Sequence, residues 1–139
     1  MQWTDGENAG FTTGTPWLKV NSNYTDINVK NQEADAHSVL NYYRKLIALR
    51  KSDEYKSLFT YGEFMLFTMI QKYHGFLSKD ESKCVLIAAN FGKEPASVTL
   101  KSQAARILLS TRPDGSVQID TTSAPKLTLD SCEAVVIEL

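Results

Sequence analysis

The sequence has little of what most metal, redox and membrane chemistry requires. Among 139 residues there are two cysteines and two histidines. Cys84 and Cys132 form no CxxC pair and have no His/Cys cluster beside them, so their spacing offers no zinc site. They read as two buried free thiols of a cytosolic protein, the alternative being a disulfide between them. No apolar run approaches the roughly 18–20 residues of a membrane span. Residues Met1 to Glu7 have no basic stretch followed by an apolar one, so they do not read as a secretory signal. Gly6, Gly10 and Gly14 follow no strand, which excludes a phosphate-cradling loop. An excess of one charge is also missing. Lys+Arg is 15 and Asp+Glu is 16, which leaves no electrostatic pull toward nucleic acid or an anionic membrane. No cofactor, metal, nucleic acid or membrane partner is expected, and there is no internal repeat.

What is present suits a folded chain. The hydrophobic fraction is 42% and the charged fraction 22%, outside the disordered regime. A chain of this length can bury roughly 65–70% of its unfolded surface. Three textures follow one another. Residues 1–35 are rich in Asn, Thr, Gly, Asp and aromatics and show neither helical nor strand period. Trp3, Phe11 and Trp17 each need a surface to pack on, and none is evident nearby. Residues 36–53 read as a helix. Val39, Leu40, Tyr43, Leu46 and Ile47 share one apolar stripe, Ser38 or Asp35 can cap it, and Arg50 and Lys51 suit its negative end. Residues 57–139 read as strands. These include Phe64 to Ile70, Cys84 to Phe91, and the alternating pairs Val98/Leu100, Ile107/Leu109, Leu127/Leu129 and Val135/Ile137. Turn chemistry at Lys79–Ser82, Gly92–Pro95 and Pro113–Gly115 separates them. Seven or eight short strands at ~8–12-residue spacing predict an antiparallel sandwich or barrel.

The first two textures carry a resemblance. Met1-Gln-Trp3, Glu7-Asn-Ala-Gly-Phe-Thr12, Thr15-Pro-Trp-Leu18 and Tyr24-Thr-Asp-Ile-Asn-Val29 resemble the segment after the last barrel strands of oligo-1,6-glucosidases and related α-glucosidases of the α-amylase superfamily (glycoside hydrolase family 13). Ser38 to Lys51 is similar to the final barrel helix of that family. Ala89-Asn-Phe91 and Glu133-Ala-Val-Val136 agree more loosely. Thr4 stands where the family commonly has an acidic residue. The resemblance extends to glucan 1,6-α-glucosidase and trehalose-6-phosphate hydrolase.

That resemblance implies an architecture and a chemistry. Residues 1–53 would be the end of a (β/α)8 barrel, its last loop and final helix. Residues 54–139 would be the C-terminal antiparallel β-domain, a β-sandwich of about seven or eight strands. The parent would hydrolyse short α-1,6- or α-1,4-glucosidic oligosaccharides with retention, in the cytoplasm. The carboxylate nucleophile and acid would lie upstream, so no catalytic residue is expected here. The partner implied is the upstream barrel of the same chain, and oligosaccharide is met only through it.

Retaining glycosidases need two carboxyl groups about 5–5.5 Å apart. Asp53, Glu54, Asp80, Glu81, Glu94 and Asp114 sit in turns or at element ends, and Asp120, Asp130 and Glu133 flank strands; all read as structural or solvated. Asp5, Glu7 and Asp26 read as loop-structuring. Gln2, Trp3, Asn8 and Phe11 are candidates for substrate contact, through amide hydrogen bonds and aromatic stacking on a pyranose face. The plainer alternative is that they shape and pin the loop. His37 and His74 read as surface groups. A different class of protein, a stand-alone carbohydrate-binding or protein-interaction module, would need an exposed aromatic row such as Tyr55, Phe59, Tyr61, Tyr73 and Phe76.

Overall fold

The computed structural model describes residues 1–70, 73–100, 106–112, 117–120 and 125–139. It falls into two compact units, Met1–Ile47 and Ala48–Leu139.

The first unit is a folded loop with helical pieces. Its tightest feature is a 3-10 turn, Glu7–Gly10, in which Asn8 (φ 51°) and Ala9 (φ 54°) leave the right-handed region. Gly10 follows at φ 71°, a conformation that favours a residue without Cβ. The turn is held from inside, since Ala9 is fully buried and its carbonyl accepts from both Trp3 N and Thr4 N. Helix α1 spans Val29–Ala34. Its cap is the buried Asn28, whose side chain accepts from Asn31 N at 2.9 Å. Six residues are too few to show a period, so this helix is not among the elements the sequence predicts. Helix α2 spans Val39–Lys51, as the stripe predicts. Ser38 Oγ accepts from Asn41 N at 3.2 Å and so caps it, while Asp35 caps the preceding turn at His37 N. The stripe itself is not covered: Val39, Tyr43 and Ile47 are all exposed.

The second unit opens with the last turn of α2 and a short helix α3, Lys56–Tyr61. Among the described residues eight strands follow: β1 Glu63–Ile70, β2 Tyr73–Lys79, β3 Cys84–Asn90, β4 Ala96–Thr99, β5 Arg106–Ser110, β6 Gln118–Asp120, β7 Lys126–Leu129 and β8 Ala134–Glu138. They form a five-stranded sheet ordered β1-β2-β3-β8-β5 and a three-stranded sheet ordered β4-β7-β6. Every pairing is antiparallel. The unit is therefore the antiparallel sandwich that the strand spacing predicts, and α3 is an addition that six residues could not announce. The predicted turn at Pro113–Gly115 lies outside the described residues, as does the side chain of Tyr73.

Alternation along the central strands places two cores on opposite faces of the larger sheet. Leu86, Ala88, Val135 and Ile137 face inward onto Leu127 and Leu129 of the smaller sheet. Burying one such leucine contributes roughly 1.5–3 kcal/mol. Val85 and Val136 face outward and are covered by Tyr55 and Leu58, with Leu49 and Phe59 beside them. Strands β3 and β8 are thus covered on both faces over this stretch, which explains their unbroken apolar runs.

Where the sheets exchange strands the packing is polar. Asn90 is buried. Its amide donates to Glu94 O at 2.9 Å, Leu129 O at 3.3 Å and Asp130 O at 2.8 Å, and its Oδ1 accepts from Gly92 N. Glu133, expected as a flanking acid, is also buried. Its carboxylate accepts from Asp130 N at 2.8 Å and closes the turn before β8. Cys132 in that turn has φ 54° and is exposed, which corrects the expectation of two buried thiols. Cys84 is half-buried, and both are free.

Candidate functional site

In the first unit the four candidate contact residues divide into two pairs. Gln2 and Phe11 border a cleft of about 310 Å³, together with Pro16, Trp17, Lys19 and Asn21. Trp3 and Asn8 lie outside that lining. Gln2 is anchored by its amide nitrogen, which donates to Asn23 Oδ1 at 3.0 Å and Ile27 O at 2.7 Å. Its carbonyl accepts from Val29 N, and that of Trp3 from Lys30 N. These two residues therefore satisfy free N–H groups at the start of α1. Asn8 Nδ2 reaches Thr12 O at 3.4 Å and Gly14 O at 3.2 Å, so it holds the loop that carries Phe11 toward Trp17. Asp5 pairs with Lys30 at 2.9 Å, and that hydrogen bond holds its carboxyl below the usual range.

The cleft presents aromatic, amide and ammonium groups. Phe11 and Trp17 are 44% and 92% exposed, so apolar ring faces are open to a ligand. Amides stand at Gln2 and Asn21 and an ammonium at Lys19. Among the described residues that line the cleft there is no Asp or Glu.

The charged cluster of the molecule lies in the second unit, and the sequence did not point to it. Glu54, Tyr55, Lys83, Arg106 and Glu138 meet at one end of the larger sheet. Lys83 lies 2.9 Å from Glu138 and 3.2 Å from Glu54. Arg106 lies 3.0 Å from Glu54 and 3.4 Å from Glu138. The Arg106 guanidinium also donates to the Tyr55 hydroxyl. The Lys83 hydrogen bond is the main reason both carboxyls ionise below their ordinary range, with burial opposing it. Burial pushes the Tyr55 phenol up. Two carboxylates held ionised between two cations make a clasp, and neither is available as an acid near neutrality. Sequence spacing hides it because its members are far apart in the chain. His37 and His74 are exposed as expected, with the His74 ring 5.3 Å from that of Phe91. Among the described residues no group of three or more His, Cys, Asp and Glu could hold a metal ion.

The first unit, a folded loop with helices, bears the cleft, and the second is a two-sheet antiparallel unit. Comparison with known proteins supplies the family. Residues 1–60 match the model of the α-amylase catalytic domain. Probable oligo-1,6-glucosidase 2 of Bacillus subtilis (strain 168) is 46% identical over 96 residues, which is 69% of this chain and 17% of that protein. The α-glucosidase of Candida albicans is 43% identical over 96 residues, 68% of this chain and 16% of its own length. Among solved structures, isomaltulose synthase from Klebsiella sp. LX3 superposes with a TM-score of 0.84 at 29% identity, over 99% of this chain and 24% of that one. Trehalulose synthase MutB from Pseudomonas mesoacidophila MX-45 superposes with 0.83 at 30% identity, over the same shares. The chain belongs to the α-amylase family of glycoside hydrolases. It spans about one sixth of the length of the curated relatives it matches.

Proposed function

We propose that this chain is the C-terminal part of an α-glucosidase that hydrolyses short α-1,6- or α-1,4-linked glucosides with retention, and that its own residues support the catalytic barrel without performing the chemistry. The observation that carries this reading is the 46% identity over 96 residues to an oligo-1,6-glucosidase. The boundary we assign runs between residues 53 and 54, with the end of the barrel before it and the C-terminal β-domain after it. Two features support a non-catalytic role. The cleft at Gln2 and Phe11 has no carboxylate in its lining, and Glu54 and Glu138 are committed to Lys83 and Arg106. The partner is the upstream barrel of the same polypeptide. The exposed Val39, Tyr43 and Ile47 on α2 and the exposed Trp3, Phe11 and Trp17 suit packing against such a neighbour. In this reading Gln2, Trp3, Asn8 and Phe11 face or frame the sugar pocket. The free Cys84 and Cys132 suit a reducing compartment, and we place the enzyme in the cytoplasm. No helix among the described residues is long and apolar enough to cross a membrane.

The alternative of a free-standing sugar-binding module is disfavoured by one finding. The aromatic row it needs is broken, because Tyr55 is only 2% exposed and packs with Phe59 in the outer core. The deciding experiment joins this chain to the barrel of the Bacillus subtilis relative in place of the matching region and measures isomaltose hydrolysis. The fusion is expected to be active and the chain alone silent. Hydrolysis by the chain alone, or a folded but silent fusion, overturns the reading. Tight binding of isomaltose by the chain alone in isothermal titration favours the module.

A further inference from the structure

Asn8 grips the backbone on both sides of Phe11. Its carbonyl accepts from Phe11 N at 3.3 Å. Its side-chain amide donates to Thr12 O at 3.4 Å and to Gly14 O at 3.2 Å. The backbone that makes this grip is unusual. Asn8 (φ 51°) and Ala9 (φ 54°) run straight into Gly10 (φ 71°), three left-handed residues in a row where single ones are the rule. Such backbone persists only where its surroundings over-determine it, and it collects at ligand clamps. The surroundings do so here. Ala9 is fully buried; its N–H donates to Gly6 O at 3.0 Å, and its carbonyl accepts from Trp3 N and Thr4 N. A Cβ on Gly10 would lie 2.6 Å from Thr4 Oγ1, so Thr4 closes that side of the turn. The turn presents one ring. Phe11 is exposed and lines the cleft, whereas Asn8 lies outside the lining.

We propose that Asn8 is a positioning residue for glucoside binding: it acts on the sugar only through Phe11, whose ring the left-handed turn holds as a stacking wall of the cleft. This deepens the glucosidase reading and rests on it. A pyranose offers an apolar face to aromatic rings and hydroxyls to amides. The cleft has Phe11 and Trp17 for the first and Gln2 and Asn21 for the second. Asparagine suits both halves of the task at position 8. It tolerates the left-handed region, and its amide supplies the two donors that the Thr12 and Gly14 carbonyls need. Aspartate would keep the first property and lose the second. It would set an acceptor-only carboxylate against those carbonyls and release the segment that carries Phe11.

The test is a double-mutant cycle in the fusion of this chain to the barrel of the Bacillus subtilis relative, with isomaltose as substrate. Phe11→Ala and Asn8→Asp are each expected to raise KM roughly three- to tenfold, the size of one aromatic contact. kcat should hardly move, as for binding shared by ground and transition states. The double variant is expected to be no worse than Phe11→Ala alone, because Asn8 then has no ring to place. Phe11→Tyr should recover most of the KM lost in Phe11→Ala. Asn8→Gly permits the left-handed backbone without the amide, so it should match Asn8→Asp, and it carries the cycle if the aspartate variant fails to fold. Losses that add in the double variant, an unchanged KM in either single variant, or an effect confined to the melting temperature overturns the inference and leaves the glucosidase reading standing. A wild-type fusion that folds and stays silent overturns both.

Discussion

The Tyr55 hydroxyl donates to the Glu138 carboxylate at 3.0 Å, across 83 positions of chain. The bond ties the residue just before α3 to the end of β8, and it is buried on the tyrosine side. Tyr55→Phe keeps the ring in the outer core and removes the hydroxyl from both Glu138 and Arg106. A hydrogen bond to a charged group contributes about 1.5–3 kcal/mol, so the variant is expected to lose stability of that order in urea denaturation. A loss below the error of the measurement would show that water replaces the hydroxyl without cost.

Acid should weaken the same clasp. Glu138 ionises below its ordinary value of 4.5, first because Lys83 donates to it and despite burial. A depressed carboxyl contributes fully above its unfolded value and loses that contribution as pH falls through the folded one. Glu54 and Asp80 act in the same sense, Asp80 through the Ser82 and Lys83 backbone amides. The melting temperature is therefore expected to decline once the pH drops below 4.5. Glu138→Gln should make that acid limb shallower. Lys83 has the opposite sign: its ammonium is held above its ordinary 10.5, so its contribution disappears only as pH rises past that range.

Gly62 joins α3 to β1 with no room beside it. A Cβ there would collide with Leu58 O and lie 2.9 Å from Ser78 Oγ. Its backbone is ordinary, φ −62°, so the cost is steric. Gly62→Ala is expected to destabilise by about 1–3 kcal/mol and to disturb the bond from Ser78 Oγ to Leu58 O, now 3.0 Å. The check is thermal denaturation alongside Ser78→Ala. If Ser78→Ala costs as much as Gly62→Ala, the hydrogen bond rather than the collision decides.

The thiols should differ in reactivity. Cys132 is exposed, whereas Cys84 is half-buried and burial pushes its thiol up. Thiolate is the reacting form. Iodoacetamide is expected to label Cys132 first, and peptide mass mapping over time would show the order.

Much of this was legible in the sequence. The stripe Val39–Ile47 and the cap at Ser38 place α2 because a thirteen-residue helix shows its period. The runs at Cys84 and Val135 place β3 and β8 because both faces are covered there. The Glu54–Lys83–Arg106–Glu138 clasp was not legible, since its residues approach only after three strands have paired. The burial of Tyr55 is hidden for the same reason. As one of a row of aromatics it resembles a binding face, and only tertiary packing shows that its ring is core. At the candidate site, residue types suggested contact for Gln2, Trp3, Asn8 and Phe11 alike. Their backbone roles, which separate the cleft-lining pair from the others, depend on hydrogen bonds that no side-chain pattern encodes.

Asn90 has a consequence for how the β unit comes apart. Among the described strands the chain passes between the two sheets four times, and two of those crossings, from β3 to β4 and from β7 to β8, meet at this residue. Both crossings end on the one buried carboxamide, through Glu94 on the outward passage and Leu129 and Asp130 on the return. Neither sheet can release its crossing without stranding the other's carbonyls away from water. The two layers are thus bound into one cooperative unit, and slow amide exchange should report a single opening for both.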